Sequence, residues 1–272
     1  TCISFNQSHG RKQRRMKVFF VNDTHKLGQH FGCELVMETY KEQFERTDME
    51  LVGTITKNDP IEIPDNVDLV IVNGEGSVHH GHNPHLVNIG EYYPSVFINA
   101  VWQDNPQYHQ ENVMNFRYVS VRESRSQKAL PNAHVVPDVI FSNRRLWDYA
   151  VSNKRNGTFV SDNVLNPACG YSSTVSSAEY MFKLTAHKNA VCGRYHAAVI
   201  SSVLGIPFST WPSNTHKIEG MMEDMGIPHL HATDQASAMN IVPHELEESV
   251  IEYVCKAKKK VDNMFENLYN II

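Results

Sequence analysis

The chain has 272 residues, 41% of them apolar and 20% charged, with 25 Lys and Arg against 30 Asp and Glu. That length suits one large domain or two modest ones. The apolar content excludes a disordered chain, and no run approaches the ~20 apolar residues of a membrane helix. Four basic residues (Arg11, Lys12, Arg14, Arg15) and no acidic one fall in residues 1–15, leaving 21 basic against 30 acidic residues, or −9, for the rest. Neutralising phosphates takes clustered Lys and Arg, so nucleic acid is not expected as a partner. Residues 1–15 lack an apolar h-region and read as a basic extension, disordered or added upstream of the fold, rather than a secretory signal. The five cysteines (Cys2, Cys33, Cys169, Cys192, Cys255) are scattered and form no C-x-x-C. That pattern favours a reducing compartment, the cytoplasm, over a disulfide framework or a zinc knuckle.

From Met16 onward, short apolar runs alternate with helical stretches. Residues 17–23 form a strand-length apolar run, and 33–46 carry a helical stripe of Leu35, Val36, Tyr40 and Phe44. Further strands are expected at 51–56, 68–73, 95–102, 118–121 and 134–141. Runs such as Val70-Ile71-Val72 are apolar on both faces, as in a buried parallel sheet. The polar and basic stretch 142–157 reads as a connection. Beyond it, strands are expected at 158–164, 190–192 and 207–211, with helices at 176–186, 195–204 and 214–225. Residues 243–272 place Val250, Val254, Ala257, Val261, Met264, Leu268 and Ile271 at alternating spacings of four and three. This is a long helix, either packed across the rest of the chain or forming the seam of a homo-oligomer. The expectation is an α/β fold with two Rossmann-like domains, 16–145 and 146–242, a cleft between them, and a C-terminal helix across both.

In such a fold ligands sit beyond the carboxyl ends of the strands, so the residues after each strand carry the chemistry. Asn73-Gly74-Glu75-Gly76-Ser77 follows the third strand, and its glycines let backbone N–H groups approach an anion. The nearby His79, His80, His82 and His85 do not have the i, i+4 spacing of a helical zinc site and have no Cys beside them. They read as a loop facing solvent or substrate, and no metal is expected. Arg122, at the end of the 118–121 strand, suits bidentate recognition of a carboxylate or phosphate. The sharpest signal is Cys192-Gly193-Arg194-Tyr195-His196, a strand running directly into a helix. It sets Arg194 and His196 at a helix N-terminus, where an anion is favoured. Lys217, opening a later helix, can reach a phosphate, and Asp138 lies near a strand end.

Taken in order, these motifs resemble the polysaccharide pyruvyl transferase family. The matches are Phe31-Gly32-Cys33, Asn73-Gly74-Glu75-Gly76-Ser77, Arg122-Glu123-Ser124-Arg125-Ser126, Pro137-Asp138, Gly193-Arg194-Tyr195-His196, Gly205-Ile206-Pro207 and His216-Lys217, and the resemblance covers about residues 17–226. Tyr195 stands where the family more usually has an aliphatic residue, and Gly-Glu-Gly replaces a run of glycines. The resemblance implies a fold similar to the two-domain glycosyltransferase-B type. It also implies phosphoenolpyruvate as donor substrate, a sugar or glycan as acceptor, and no further cofactor. The pyruvate moiety is moved onto two hydroxyls as a ketal, and phosphate is released. By that resemblance Arg194 and His196 hold and protonate the donor, and Arg122 contacts it. Tyr195, Gly74, Gly76, Ser77, Asp138 and Lys217 complete the expected binding set, with Glu75 facing the acceptor and Glu75 or Asp23 as base.

The residue chemistry agrees with that implication. A small molecule with a carboxylate and a phosphate suits two Arg and a helix N-terminus. The positive helix end disfavours an imidazolium and a bound dianion favours it, so His196 is expected to act as general acid mainly in the donor complex. The alternative is a nucleotide-sugar-dependent glycosyltransferase of the same architecture. It requires a carboxylate for the ribose hydroxyls, and Glu219 and Glu223, within the helix after Lys217, are not convincingly placed for that. A non-catalytic carbohydrate-binding protein is a further reading, against which a proton donor beside two arginines argues.

Overall fold

The computed structural model describes residues 14–152 and 154–271. Most of the expected basic extension lies outside the described residues. Its last two residues belong to the fold: Arg14 pairs with Asp68 at 3.0 Å and Arg15 donates to the Met49 carbonyl at 3.1 Å.

Six strands form one parallel sheet: β1 (Met16–Val21), β2 (Met49–Ile55), β3 (Leu69–Glu75), β4 (Ser95–Ala100), β5 (Tyr118–Val121) and β6 (His134–Val135), in the order β2-β1-β3-β4-β5-β6. Every residue of β3 and β4 is buried. Their unbroken apolar runs are what a parallel sheet covered on both faces requires. The covering helices are α1 (Phe31–Arg46), α2 (Pro84–Tyr92), α3 (Gln107–Val113) and α4 (Ser124–Ala129), followed by the short α5 (Arg144–Trp147). Strand order reverses between β1 and β3, which opens a crevice at their carboxyl ends.

A second parallel sheet contains β7 (Thr158–Asn163), β8 (Asn189–Gly193) and β9 (Phe208–Thr210) in that order. It is accompanied by α6 (Ser177–Thr185), α7 (Tyr195–Val203), α8 (Lys217–Asp224) and α9 (Gln235–Asn240), and the chain continues into the long α10 (Glu248–Leu268). Among the described residues no helix is long and apolar enough to cross a membrane.

One expected strand is corrected. Of residues 134–141 only His134 and Val135 form a strand, and the Val136 N–H donates a last bond to the Val121 carbonyl at 3.0 Å. Pro137, which has no N–H to donate, ends the strand. Val139–Ser142 instead makes a 3-10 turn capped by Asp138, whose carboxylate accepts the Ile140 N–H at 3.0 Å. Residues 142–157, expected as a polar connection, dock through α5: Leu146 is buried and the Asn143 side chain donates to Thr39 of α1 at 3.2 Å.

One apolar cluster runs from β1, α1 and β3 through β8 and α7 to α10. Phe31 of α1 stacks on Tyr180 of α6 with ring centroids 3.6 Å apart. The stripe of α10 is buried against α1, α7 and the 139–142 turn. Its polar flank is pinned as well, with Arg46 pairing Glu266 at 2.6 Å and Gln43 donating to Asp262 at 3.0 Å. The helix expected from 243 starts at Glu248, and its apolar face covers this chain's own elements.

Candidate functional site

A cavity of about 170 Å³ lies where the carboxyl ends of β3, β5 and β8 approach one another. One wall carries Arg122, Arg194, Tyr195, His196 and Lys217, and the other carries His30, Cys33, Glu75 and Gly76. Arg194 is the N-cap of α7, and Tyr195 and His196 form its first turn. His30 is the N-cap of α1. Both helices start at this space. The N–H groups of the first turn of α1 are taken by His30 and Ser173, whereas α7 has no side-chain cap, so its N-terminus is the one that favours an anion.

The cationic groups are held by buried carboxylates. Arg122 is 1% exposed, donates to Asp138 at 2.7 Å, and stacks its guanidinium 4.4 Å from the centre of the Tyr195 ring. Burial alone pushes the Asp138 carboxyl up, but the His196 imidazole and the Arg122 guanidinium outweigh it and hold it well below the usual range. Arg194 grips Asp162 bidentately at 3.0 and 2.9 Å, and Ser173 donates to the same carboxylate at 2.9 Å. Lys217 donates to Asn214 at 2.5 Å and Thr215 at 3.1 Å. Burial, with the Arg122 charge nearby, lowers its ammonium to about 7.

His196, like Arg122 at Nε and Tyr195 at Oη, keeps a buried polar atom, its Nε2, without an aligned hydrogen-bond partner among the described residues. That nitrogen lies 3.4 Å from Asp138 Oδ2 and 3.9 Å from Glu75 Oε1. The ring is fixed from behind by α1: a Cβ at Gly32 would collide with His196 Nδ1, so only glycine permits this approach. His30 Nδ1 accepts the N–H groups of Gly32 (3.1 Å) and Cys33 (3.4 Å). That places its proton on Nε2. Burial and the neighbouring His196 lower its pKa to about 4, so the ring is neutral near pH 7.

A second cleft, of about 450 Å³, adjoins the first at the β1–β3 crevice and shares His30, Cys33, Glu75 and Gly76 with it. Its remaining polar lining is uncharged, from Thr24, Gln29, Ser77 and Thr174. Glu75 closes β3 with φ +35°, a left-handed conformation that costs a non-glycine residue about 1–3 kcal/mol. Its Oε2 accepts from Thr24 at 2.5 Å and from Asn73 at 3.3 Å, while Oε1 meets only the weak Cys33 S–H donor at 3.6 Å. Burial, then the Glu75 charge, raises the Cys33 thiol well above its ordinary value.

Of the residues expected from sequence, Arg122, Arg194, Tyr195, His196, Lys217, Glu75 and Gly76 are brought together in the small cavity, and Ser77 lines the adjoining cleft. Asp138 sits behind the small cavity as the partner of Arg122 and His196. Gly74 and Asp23 belong to neither. Gly74 is pressed against Ala100 of β4, and the Asp23 carboxylate accepts from Thr54 at 3.0 Å. In the histidine loop, His80 pairs with Asp104 at 3.2 Å and His85 donates to the Lys57 carbonyl at 2.8 Å. No group of three or more His, Cys, Asp or Glu among the described residues is placed to hold a metal ion. Sequence reading missed His30, Cys33 as a lining group, and Asp162. The position of His30 just before the apolar stripe of α1 was the available signal for a cap.

No protein-family model matches the sequence. No curated protein matches it either. The crystal structure of a functionally uncharacterized protein from Klebsiella pneumoniae has a similar fold, with a TM-score of 0.57 and 16% identity over 81% of this chain and 94% of that one. This likeness bears on the fold alone.

Proposed function

We propose that the protein transfers the pyruvate moiety of phosphoenolpyruvate to two hydroxyls of a sugar or glycan as a ketal, with release of phosphate. The observation that carries this reading is the pairing of two adjoining cavities of opposite character. One is small and cationic and receives the uncapped N-terminus of α7. The other is larger and lined by uncharged polar groups, and Glu75 stands at their common wall beside His196. The small cavity is below the roughly 300–1,000 Å³ that suits drug-sized ligands, so a compact anion fits it better than a nucleoside diphosphate. Neither carboxylate that a ribose would need is available: Glu219 lies 3.7 Å from His231, and Glu223 pairs with Arg125 at 2.7 Å. In this reading the two sheets act as Rossmann-like units facing one another across the site.

The reaction follows from the groups present. Lys217, Arg194 and the α7 N-terminus take the phosphate and carboxylate of the donor, with Arg122 beneath. His196 gives a proton to C3, so that the methylene becomes a methyl group and C2 becomes electrophilic. A sugar hydroxyl attacks C2 while Glu75 Oε1 takes its proton. The C2–O bond to phosphate then breaks, and the second hydroxyl closes the ketal, its proton leaving with phosphate. Pre-organised cations stabilise the departing phosphate throughout.

The test is incubation with phosphoenolpyruvate and a panel of glycosides, following phosphate release and acceptor mass. Turnover that falls by about 10²–10⁴ in His196→Ala is the expected result. Absence of phosphate release with every acceptor, together with thermal stabilisation by nucleotide sugars but not by phosphoenolpyruvate, would overturn the proposal.

A further inference from the structure

Within the reading above, on which this inference rests, the larger cleft has a charge pattern of its own. Among the described residues that line it, Glu75 alone carries a formal charge at neutral pH, because His30 is held neutral by its capping role and its burial. No Lys or Arg faces it. The small cavity next door has the Arg122 and Arg194 guanidinium groups and Lys217, whose ammonium is lowered to about 7. Of these two cavities only the small one thus offers Lys or Arg to an anion.

Glu75 cannot relieve this asymmetry by moving. It is 6% exposed, its backbone is in the left-handed region, and Oε2 is tied to Thr24 and Asn73. The remaining oxygen has only a thiol donor, so it has lone-pair capacity for a hydroxyl proton. A carboxylate or phosphate brought to the same place would meet a fixed like charge, with no Lys or Arg among the residues lining the cleft. Juxtaposed like charges of this kind suppress the wrong partner more than contacts select the right one.

We propose that the larger cleft receives an uncharged sugar residue, one hydroxyl bonded to Glu75 Oε1, and that Glu75 is the specificity-determining group excluding acceptors with a carboxylate or phosphate on that sugar. Gln29, exposed on the rim, is the position from which the filter can be changed without touching Glu75.

The experiment uses methyl glycosides of gluco, galacto and manno configuration, the corresponding uronates, and UDP-glucose. Binding to the full chain is measured by saturation-transfer NMR without donor. The favoured neutral glycoside is expected to bind at least about tenfold more tightly than its uronate. Glu75→Gln should shrink that ratio to about threefold or less, and Gln29→Lys should raise uronate affinity several-fold while Glu75 stays in place. Equal binding of uronate and neutral glycoside by the unmodified chain, preferential binding of UDP-glucose, or an unchanged ratio in both variants would overturn the proposal, as would no binding of any glycoside. If Glu75→Gln does not fold, Gln29→Lys decides alone. Thermal stabilisation by phosphoenolpyruvate, measured in parallel, separates the two failures. Stabilisation without glycoside selectivity sinks only the filter, and selectivity without stabilisation sinks the donor assignment.

Discussion

Replacing Gly32 by alanine tests whether the α1 N-terminus positions the imidazole. A Cβ at this position would lie 2.6 Å from His196 Cγ and 2.8 Å from its Cβ, and would strike Nδ1. Carbon–carbon contacts settle at about 3.5–4.0 Å, so the ring or the helix must yield by roughly 1 Å. Neither does so freely. The ring has Asp138 3.4 Å away from its Nε2, and α1 is locked by the Phe31–Tyr180 stack and by His30. Overpacking of this kind costs about 1–3 kcal/mol. At about 2–4 °C per kcal/mol for a chain approaching this size, Gly32→Ala should melt roughly 2–12 °C lower. A displacement of 1 Å at a reacting group costs about a hundredfold in rate, so phosphate release should fall by about that factor. Calorimetry and a phosphate-release assay on the same preparation measure both. A variant with unaltered melting and unaltered turnover would refute the argument that α1 fixes His196.

Five further outcomes are expected. His196→Ala should lower turnover by about 10²–10⁴ while donor affinity stays within a few-fold, as judged by steady-state kinetics and calorimetric titration. Sulfate, whose charge is constant near neutrality, should bind less tightly as pH rises through about 7, where Lys217 loses its proton, and Lys217→Met should flatten that dependence. The folded pKa of Lys217 is depressed, so the cost of burying its ammonium is fully present below about pH 7 and fades toward the unfolded value near 10.4; Lys217→Met should therefore stabilise the fold most at and below pH 7 in urea titrations. Phe265→Ala, which empties a fully buried site on α10, should cost about 3–5 kcal/mol in the same assay. The Cys33 thiol, raised by burial and by Glu75, should alkylate far more slowly than exposed Cys255 at pH 8, with Glu75→Gln accelerating it.

The strands most legible in the sequence are those whose environment is the same on both faces. Residues 68–73 and 95–102 announce β3 and β4 because a covered parallel strand needs no alternation. The run 134–141 misleads because Pro137 divides two apolar triplets that belong to different structures, a strand end and a 3-10 turn. Arg194 and His196 can be read as a strand–helix junction, since that signal is local. Their setting cannot: Arg122 stacks on Tyr195, and Asp162 neutralises Arg194, across long separations in the chain. The sequence reading placed both guanidinium groups at one ligand but did not anticipate that each already holds a buried carboxylate. His30 escaped notice because helix caps are sought among Ser, Thr, Asp and Asn, and an imidazole nitrogen can fill the same role.

The placement of α10 also orders events during synthesis. Residues 248–268 emerge from the ribosome after every element they cover, so the apolar faces of α1 and α7 stay wet until translation has passed that helix. Exposed faces of that kind invite association with chaperones or with other nascent chains. The walls that bear His30 and His196 belong to the two helices that this last helix covers.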